Sequence, residues 1–420
     1  MKTIHVAVSD PFVLLSLSRL LLLVLFALSG RSLTSGALAQ GLPLPISETF
    51  TEEAKLIPPL NDSHTKFGDA VSLSGNRALV GAYLGGDTIG HAYIFVFDGA
   101  TWTPQADFAP SDGTAGDLFG ADVSLSGNRA LIGAQGHGDS GTAYVFAFDG
   151  TAWTQQAELA PPIGGVAFGA SVSLSGDLAL VGDPNNNNTR GAVYVFSFNG
   201  ITWKQQAKLV ASDAAENDYF GSSVSLSDGR AVVGAPQHLS SKPGAVYVFI
   251  RKGATWTQEA ELAASDGVAG DGFGFNVALF GDRVLAGAQF ATTTHFEQAG
   301  AAYVFAFDGT TWSQQAKLIA IRGMANDLFG CSVSLLGDHA LVGALGGNGN
   351  NAGAAYVFTF DGTTWNQQAK LIASDGAAFD FFGSAVSLST NRALVGAPDN
   401  LGNGSGRGAA YIFERNREQP

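Results

Sequence analysis

Among the acids, histidines and cysteine, the carboxylates recur at a fixed spacing. Asp112 and Asp117, Asp213 and Asp218, Asp266 and Asp271, and Asp375 and Asp380 stand in four copies of S-D-x-x-x-x-D-x-F-G. Asp327 keeps only the second acid, and one further copy has Val166 and no acid at all. Two carboxylates on a turn could hold a hard cation, with backbone carbonyls completing its shell. They could equally accept backbone N–H bonds and shape the turn itself. Calcium takes roughly 6 to 8 oxygens, so two acids favour turn chemistry; the eight aspartates stay as weak metal candidates and no cofactor is expected.

Other reactive side chains show no such order. His64, His91, His137, His238, His295 and His339 are scattered without zinc-ligand spacing, and no G-x-S-x-G stands at a strand-to-helix turn. Catalysis in a repeat protein needs one copy that departs from the rest to hold a nucleophile, base or metal. None is legible, so no catalytic residue is assigned and the chain reads as a non-enzyme. Cys331 is the sole cysteine, at a position filled elsewhere by Ala121, Ala170, Ser222 or Ser384. It reads as a small buried residue, and no internal disulfide is possible. Trp102, Trp153, Trp203, Trp256, Trp312 and Trp365 could be sugar-stacking platforms, but Phe50 takes the same place without a polar handle, which favours packing between neighbouring units. Tyr93, Tyr144, Tyr194, Tyr247, Tyr303, Tyr356 and Tyr411 hold one strand position in every copy, a regularity that suits a repeated core.

The elements that position these residues are strands. In the unit from Asn326 to Leu371, Val333 and Leu335 alternate with Ser334; a Gly337-Asp338 turn then leads into the apolar run from Ala340 to Val342. Ala355 to Phe360 form an aromatic and β-branched third strand, stopped by Asp361-Gly362, a type I′ turn signal. Thr364 to Leu371 alternate as an outer strand with one wet face. Four antiparallel strands make a sheet too small to bury both faces, so it must stack on copies of itself. The Phe-Gly pair that opens the unit stands at Phe67, Phe119, Phe168, Phe220, Phe273, Phe329 and Phe382, spaced by 52, 49, 52, 53, 56 and 53 residues. Seven copies predict an all-β, seven-bladed β-propeller of four-stranded antiparallel blades. The segment Thr49 to Leu56 matches Thr311 to Leu318, with Phe50 where Trp belongs, while the last copy ends soon after Phe413 without a fourth strand. The N-terminal strand is therefore expected to complete the last blade and close the ring.

The Phe-Gly opening followed by Gly-Ala-Pro, complete at Gly234-Ala235-Pro236 and Gly396-Ala397-Pro398 and partial at Gly182-Asp183-Pro184, resembles the FG-GAP repeats of the integrin α-subunit propeller. The G-A-A-Y-V-F and T-W-x-Q-Q-A-K-L phrases make the chain more similar still to secreted bacterial-type FG-GAP proteins. The resemblance covers essentially the whole chain after residue 39 and implies an interaction or adhesion role. Integrin-type repeats often carry calcium in a D-x-D-x-D-G loop, which is missing here: the corresponding connections are two-residue turns such as Gly75-Asn76 and Gly337-Asp338.

Residues 1–39 read as a secretory signal peptide, with Lys2 and Arg19 ahead of the apolar run Leu20 to Leu28 and cleavage near Ala39; a retained anchor is the alternative. Residues 40–47 are then a linker, 48–414 the propeller and 415–420 a tail. Export places the protein outside the cell, in the periplasm or at the cell surface. Loss of the leader, with Lys2, Arg19, Arg31 and Asp10, takes the formal net charge from −14 to −16. Such acidity argues against nucleic acid or an anionic membrane as partner. Connections after the second and fourth strands of a blade emerge together, and they vary while the strands do not. Recognition of a protein or glycan by that face of a monomer is the expected function, with a lectin-like role or, less readily, an enzyme using the central channel as alternatives. The longest of these loops, Gln289 to Gly300, supplies Phe290, His295 and Phe296 as ligand-face candidates.

Overall fold

The computed structural model describes residues 48–417 except 60–64, 85–88, 162–164, 228, 238–241, 294–295 and 401–405. The expected leader and linker, with His64, His238 and His295, lie outside the described residues. Seven four-stranded antiparallel sheets make up nearly all of the regular structure among the described residues, with one short helical segment, Asn186–Thr189. Each sheet runs outward in chain order: blade six, for example, is Phe329–Leu336, His339–Ala344, Ala354–Phe360 and Trp365–Leu371. Innermost strands of successive blades touch all the way round, the last against the first.

Blade seven confirms the expected closure. Its inner strands, Val386–Leu388, Arg392–Ala397 and Ala409–Arg417, are completed on the outside by Glu48–Leu56. The pairing is antiparallel, with Phe50 opposite Arg415 and Lys55 opposite Tyr411. Arg392 grips Glu53 through two hydrogen bonds, Nε to Oε2 at 2.5 Å and Nη2 to Oε1 at 2.8 Å, and this pairing holds the Glu53 carboxyl below the usual range.

Burial follows from sheets stacked on both sides. The second strands, of the type R-A-L-V-G-A, are buried from their second residue onward, whereas the outer strands alternate between half-buried and exposed. The core is accordingly divided between blades: Leu341, Val357 and Leu371 of blade six pack with Phe382, Val395, Tyr411 and Phe413 of blade seven. The repeated Phe of each Phe-Gly pair is fully buried edge-on against the third strand, as Phe329 is on Tyr356 (5.6 Å between centroids) and Phe358 (5.9 Å). Each such ring contributes roughly 1.5–3 kcal/mol through burial.

The two glycines of the repeated motif meet across blades. A Cβ on Gly343 would lie 1.9 Å from the Gly383 carbonyl oxygen of blade seven, and the same near-contact joins Gly396 to Gly68 at the ring closure. Gly383 also has φ +94° and donates its N–H to Gly396 O at 2.8 Å. Neighbouring backbones can approach this closely only where neither residue has a side chain.

Inner strands are zipped by serine. The N–H groups of Leu73, Leu125, Leu174, Leu226, Leu279 and Leu388 each donate to a serine Oγ of the preceding blade at 2.9–3.0 Å. At these six junctions the free edge of the inner strand is thereby bonded to its neighbour rather than left open around the axis.

One turn differs from expectation. Phe360 pairs with Trp365, so Asp361–Thr364 is a four-residue loop rather than a type I′ hairpin. The reason is local: Asp361 Oδ1 accepts the N–H groups of Thr363 and Thr364, both at 2.8 Å, an Asx-type closure that outcompetes the tighter turn.

Candidate functional site

The connection leading into each blade and the connection between its second and third strands share one face and are bonded to each other. Gly136 N–H donates to Asp117 O at 3.0 Å, Gly346 N–H to Asp327 O at 3.1 Å and Phe290 N–H to Asp271 O at 3.2 Å. Short parallel bridges, such as Gly353 with Phe382, continue the rim from blade to blade.

On this rim the acidic pairs separate into two roles. The first Asp accepts the buried phenol O–H of the third strand: Tyr144 to Asp112 (3.2 Å), Tyr247 to Asp213 (2.8 Å), Tyr303 to Asp266 (2.9 Å) and Tyr411 to Asp375 (2.7 Å). The second Asp folds back on its own loop and accepts the N–H three residues earlier, as Asp117 does from Thr114 (2.7 Å), Asp218 from Ala215 (2.6 Å), Asp271 from Val268 (2.9 Å) and Asp380 from Ala377 (2.8 Å). Asp327, the lone second acid of blade six, does the same with Met324 at 2.7 Å. A buried tyrosine needs a hydrogen-bond partner, and a tight loop needs its inward N–H satisfied; the two acids supply these. Burial pushes the Asp271 and Asp327 carboxyls up, while the Lys317 ammonium beside Asp266 holds that one down.

Blade three shows how the same requirement is met without acids in its loop. Asp183, which stands in place of alanine in Gly-Asp-Pro, accepts the Ala167 N–H at 3.0 Å, and Asn186 lies between Asp183 (3.0 Å) and the Tyr194 hydroxyl (3.5 Å). The two departures noted in the sequence, Val166 and Asp183, are one exchange.

Blade two departs in the opposite direction. His137 Nδ1 is 2.8 Å from Asp117 Oδ2, its Nε2 is 3.7 Å from Asp112 Oδ2, and Glu158 joins them so that ligand atoms of Asp112, His137 and Glu158 lie within 4.8 Å of one another. The histidines are thus not all isolated. Linear spacing hides the cluster because it is drawn from an entry loop, a second-to-third-strand loop and an outer strand; its one visible trace is T-W-T-Q-Q-A-E-L, with glutamate where blades three, five and six have lysine.

Of the ligand-face candidates, Phe296 is exposed on the rim beside a cleft of about 220 Å³ also lined by Ile319, Ile321 and Arg322. Phe290 is half-buried against Phe275 toward the axis, 6.2 Å between centroids. The tryptophans lie elsewhere and are engaged. Each indole N–H donates to a Gln or Glu of the preceding blade at 2.9–3.3 Å. Five arginines, Arg77, Arg129, Arg230, Arg283 and Arg392, lie over the neighbouring Phe and Trp rings, 4.2–4.7 Å from the Phe centroids. The indoles therefore act as packing between blades.

Around the axis the inner strands enclose a cavity of about 390 Å³, lined among others by Asp69, Asp122, Ser223, Asn276, Cys331 and Ser332. Burial pushes the Asp69 carboxyl up to about 6 and Asp122 up to about 7, although Asp122 accepts the N–H groups of Val123 (2.9 Å) and Val172 (2.7 Å). This acid pair was not legible in the sequence, where Asp69 and Asp122 sit at successive rather than equivalent positions after Phe-Gly. Cys331 is buried, as expected, with its thiol pushed up to about 11.

No helix among the described residues is long and apolar enough to cross a membrane. No curated protein matches the chain. The FG-GAP repeat family model matches seven segments, 50–95, 102–146, 153–196, 203–249, 256–305, 312–358 and 365–413, each running from the outer strand of one blade into the third strand of the next. With seven such matches spread along most of its length, the chain belongs to the FG-GAP repeat family.

Proposed function

We propose that the protein is an exported, non-enzymatic recognition module whose loop-bearing face binds a protein partner outside the cell or in its envelope. The observation that carries this reading is the distribution of exposed apolar side chains. Among the described residues twelve large hydrophobic side chains stand exposed, and ten of these, including Val166, Val268, Phe296, Ile321, Met324 and Phe379, lie on the connections of this one face, with Ile201 and Phe280 outside it. Exposed apolar surface gathered on one face of a rigid scaffold marks an interaction surface, and its spread over several blades suits a protein better than a small molecule. A glycan-binding role through the tryptophans has less support, because their indole N–H groups and ring faces are used between blades.

The test compares the wild type with I321D/F379D on the loop face and I201D on the opposite face. Immobilised protein is exposed to isolated surface and secreted fractions and, separately, to a glycan array. The reading expects a defined protein captured by wild type and I201D and lost in I321D/F379D, with both variants melting like the wild type. Capture that ignores the loop-face substitutions, or selective glycan binding without a protein partner, would sink it.

A further inference from the structure

We propose that blade two carries a binding site for a divalent transition-metal ion, held by Asp112, His137 and Glu158 and oriented by Asp117. The inference stands independently of the recognition reading.

The other blades act as internal controls. In the third-strand register, Tyr303 is opposite Lys317 and Tyr411 is opposite Lys55, and each lysine binds the first Asp of its entry loop: Lys317 to Asp266 and Lys55 to Asp375, both at 2.6 Å. Each ammonium also rests over its tyrosine ring, 5.3 and 5.4 Å from the centroid. The resident cation neutralises the carboxylate in those blades. At the same station blade two pairs Tyr144 with Glu158, so a second carboxylate faces Asp112 in place of the lysine. Blade four makes the same exchange at Glu261, opposite Tyr247, but there Lys242 is close enough to counter the Glu261 charge. Blade two instead supplies His137.

The imidazole is set up to coordinate. Asp117 is buried, and its carboxylate is fixed by the Thr114 N–H and O–H, both at 2.7 Å. The His137 Nδ1–H donates to this carboxylate at 2.8 Å, which leaves Nε2 as the acceptor nitrogen, facing Asp112 Oδ2. A carboxylate behind a histidine fixes its tautomer and raises its basicity as a ligand. The Tyr144 hydroxyl takes Asp112 Oδ1, leaving Oδ2 toward the imidazole.

The geometry is near that of a metal site. Ligand atoms within 4.8 Å of one another need to close only slightly; bonds of about 2.0–2.2 Å to a tetrahedral zinc ion would place them roughly 3.4 Å apart. Asp112 and Glu158 are exposed and free to move in, while His137 is held. One imidazole nitrogen and two carboxylates suit zinc, or cobalt as its spectroscopic substitute, better than calcium, which takes oxygen ligands.

The experiment titrates zinc, cobalt and calcium into the chelator-treated protein, without a histidine tag, by calorimetry and absorption. E158K introduces the lysine that other blades carry at this station and so preserves the fold; H137Q removes the nitrogen ligand, and D117N tests its support. Expected are one zinc site in the wild type, weakened roughly tenfold or more in all three variants, and a zinc-dependent rise in melting temperature that E158K lacks. Zinc affinity unchanged in E158K and H137Q, or matched by calcium in the wild type, would overturn the proposal.

Discussion

The carboxyl groups of this chain differ in their surroundings more than their repetition suggests. On the rim, acids meet tyrosine hydroxyls and backbone N–H groups; on the axis, Asp122 and Asp69 face each other's charge in a confined cavity. In the unfolded chain a carboxyl of this type titrates near 4, whereas folded Asp122 is pushed up to about 7 and Asp69 up to about 6. The native state therefore keeps protons that the unfolded chain has released. Stability from these two groups is fully present below about pH 4 and is lost as the pH rises through 6 to 7, the reverse of the usual acidic residue. Asn276 holds the equivalent position in blade five and accepts the Val333 N–H at 2.8 Å, much as Asp122 accepts Val172. D122N should thus keep the interblade bond and remove the titration. Relative to wild type, its melting temperature should rise steadily between pH 5 and pH 8, with the gap greatest at pH 8; a difference that stays constant over that range would show that Asp122 carries no buried proton.

At the scale of strands, the interblade serines make a sharp expectation. Blades five and six are the one junction where the zipper position holds alanine, Ala278, which brings no hydroxyl toward Leu335. A278S should add the missing acceptor and stabilise the protein by about 0.5–1.5 kcal/mol, the net worth of one hydrogen bond. S225A, which removes an existing acceptor for Leu279, should cost about 1–3 kcal/mol by leaving a backbone donor unmet. Thermal or denaturant unfolding of both variants reads the pair, and equal effects of the same sign would refute the zipper. This also shows what the sequence could and could not reveal. Strand count, order and closure were legible because they depend on short-range alternation and on a constant period. The V-S-L-S phrase was legible only as alternation, since its serines act about fifty residues away on the next blade. The second Asp of each rim pair bonds within its own loop, a contact that local spacing can suggest, but the tyrosine partner of the first Asp is a cross-loop contact. For the same reason His137 and Glu158 gave no signal beyond a single lysine-to-glutamate change.

In the whole molecule, one strand makes seven sheets into a ring. Glu48–Leu56 covers the edge of Ala409–Arg417, places Leu56 in the core between blades seven and one, and ties Lys55 to Asp375 and Glu53 to Arg392. Trp102 of blade one also donates to Glu53, at 3.3 Å, so the same glutamate joins the seam from both sides. A protein that starts at residue 57 would lose all of this at once. Leu56 alone accounts for about 1.5–3 kcal/mol of apolar burial, and Arg392 would remain half-enclosed without its carboxylate, so the loss should exceed about 3 kcal/mol. The uncovered strand around Tyr411 would also present an unpaired edge to other chains. Compared with residues 40–420, the shortened protein should melt earlier and form higher oligomers on size-exclusion chromatography, and a synthetic peptide of residues 48–56 should reverse both changes by adding the strand back in trans. An unchanged melting point together with an unchanged elution volume would mean that the ring does not depend on this strand; failure of the peptide alone would mean that its attachment to Ile57 is needed to guide the register.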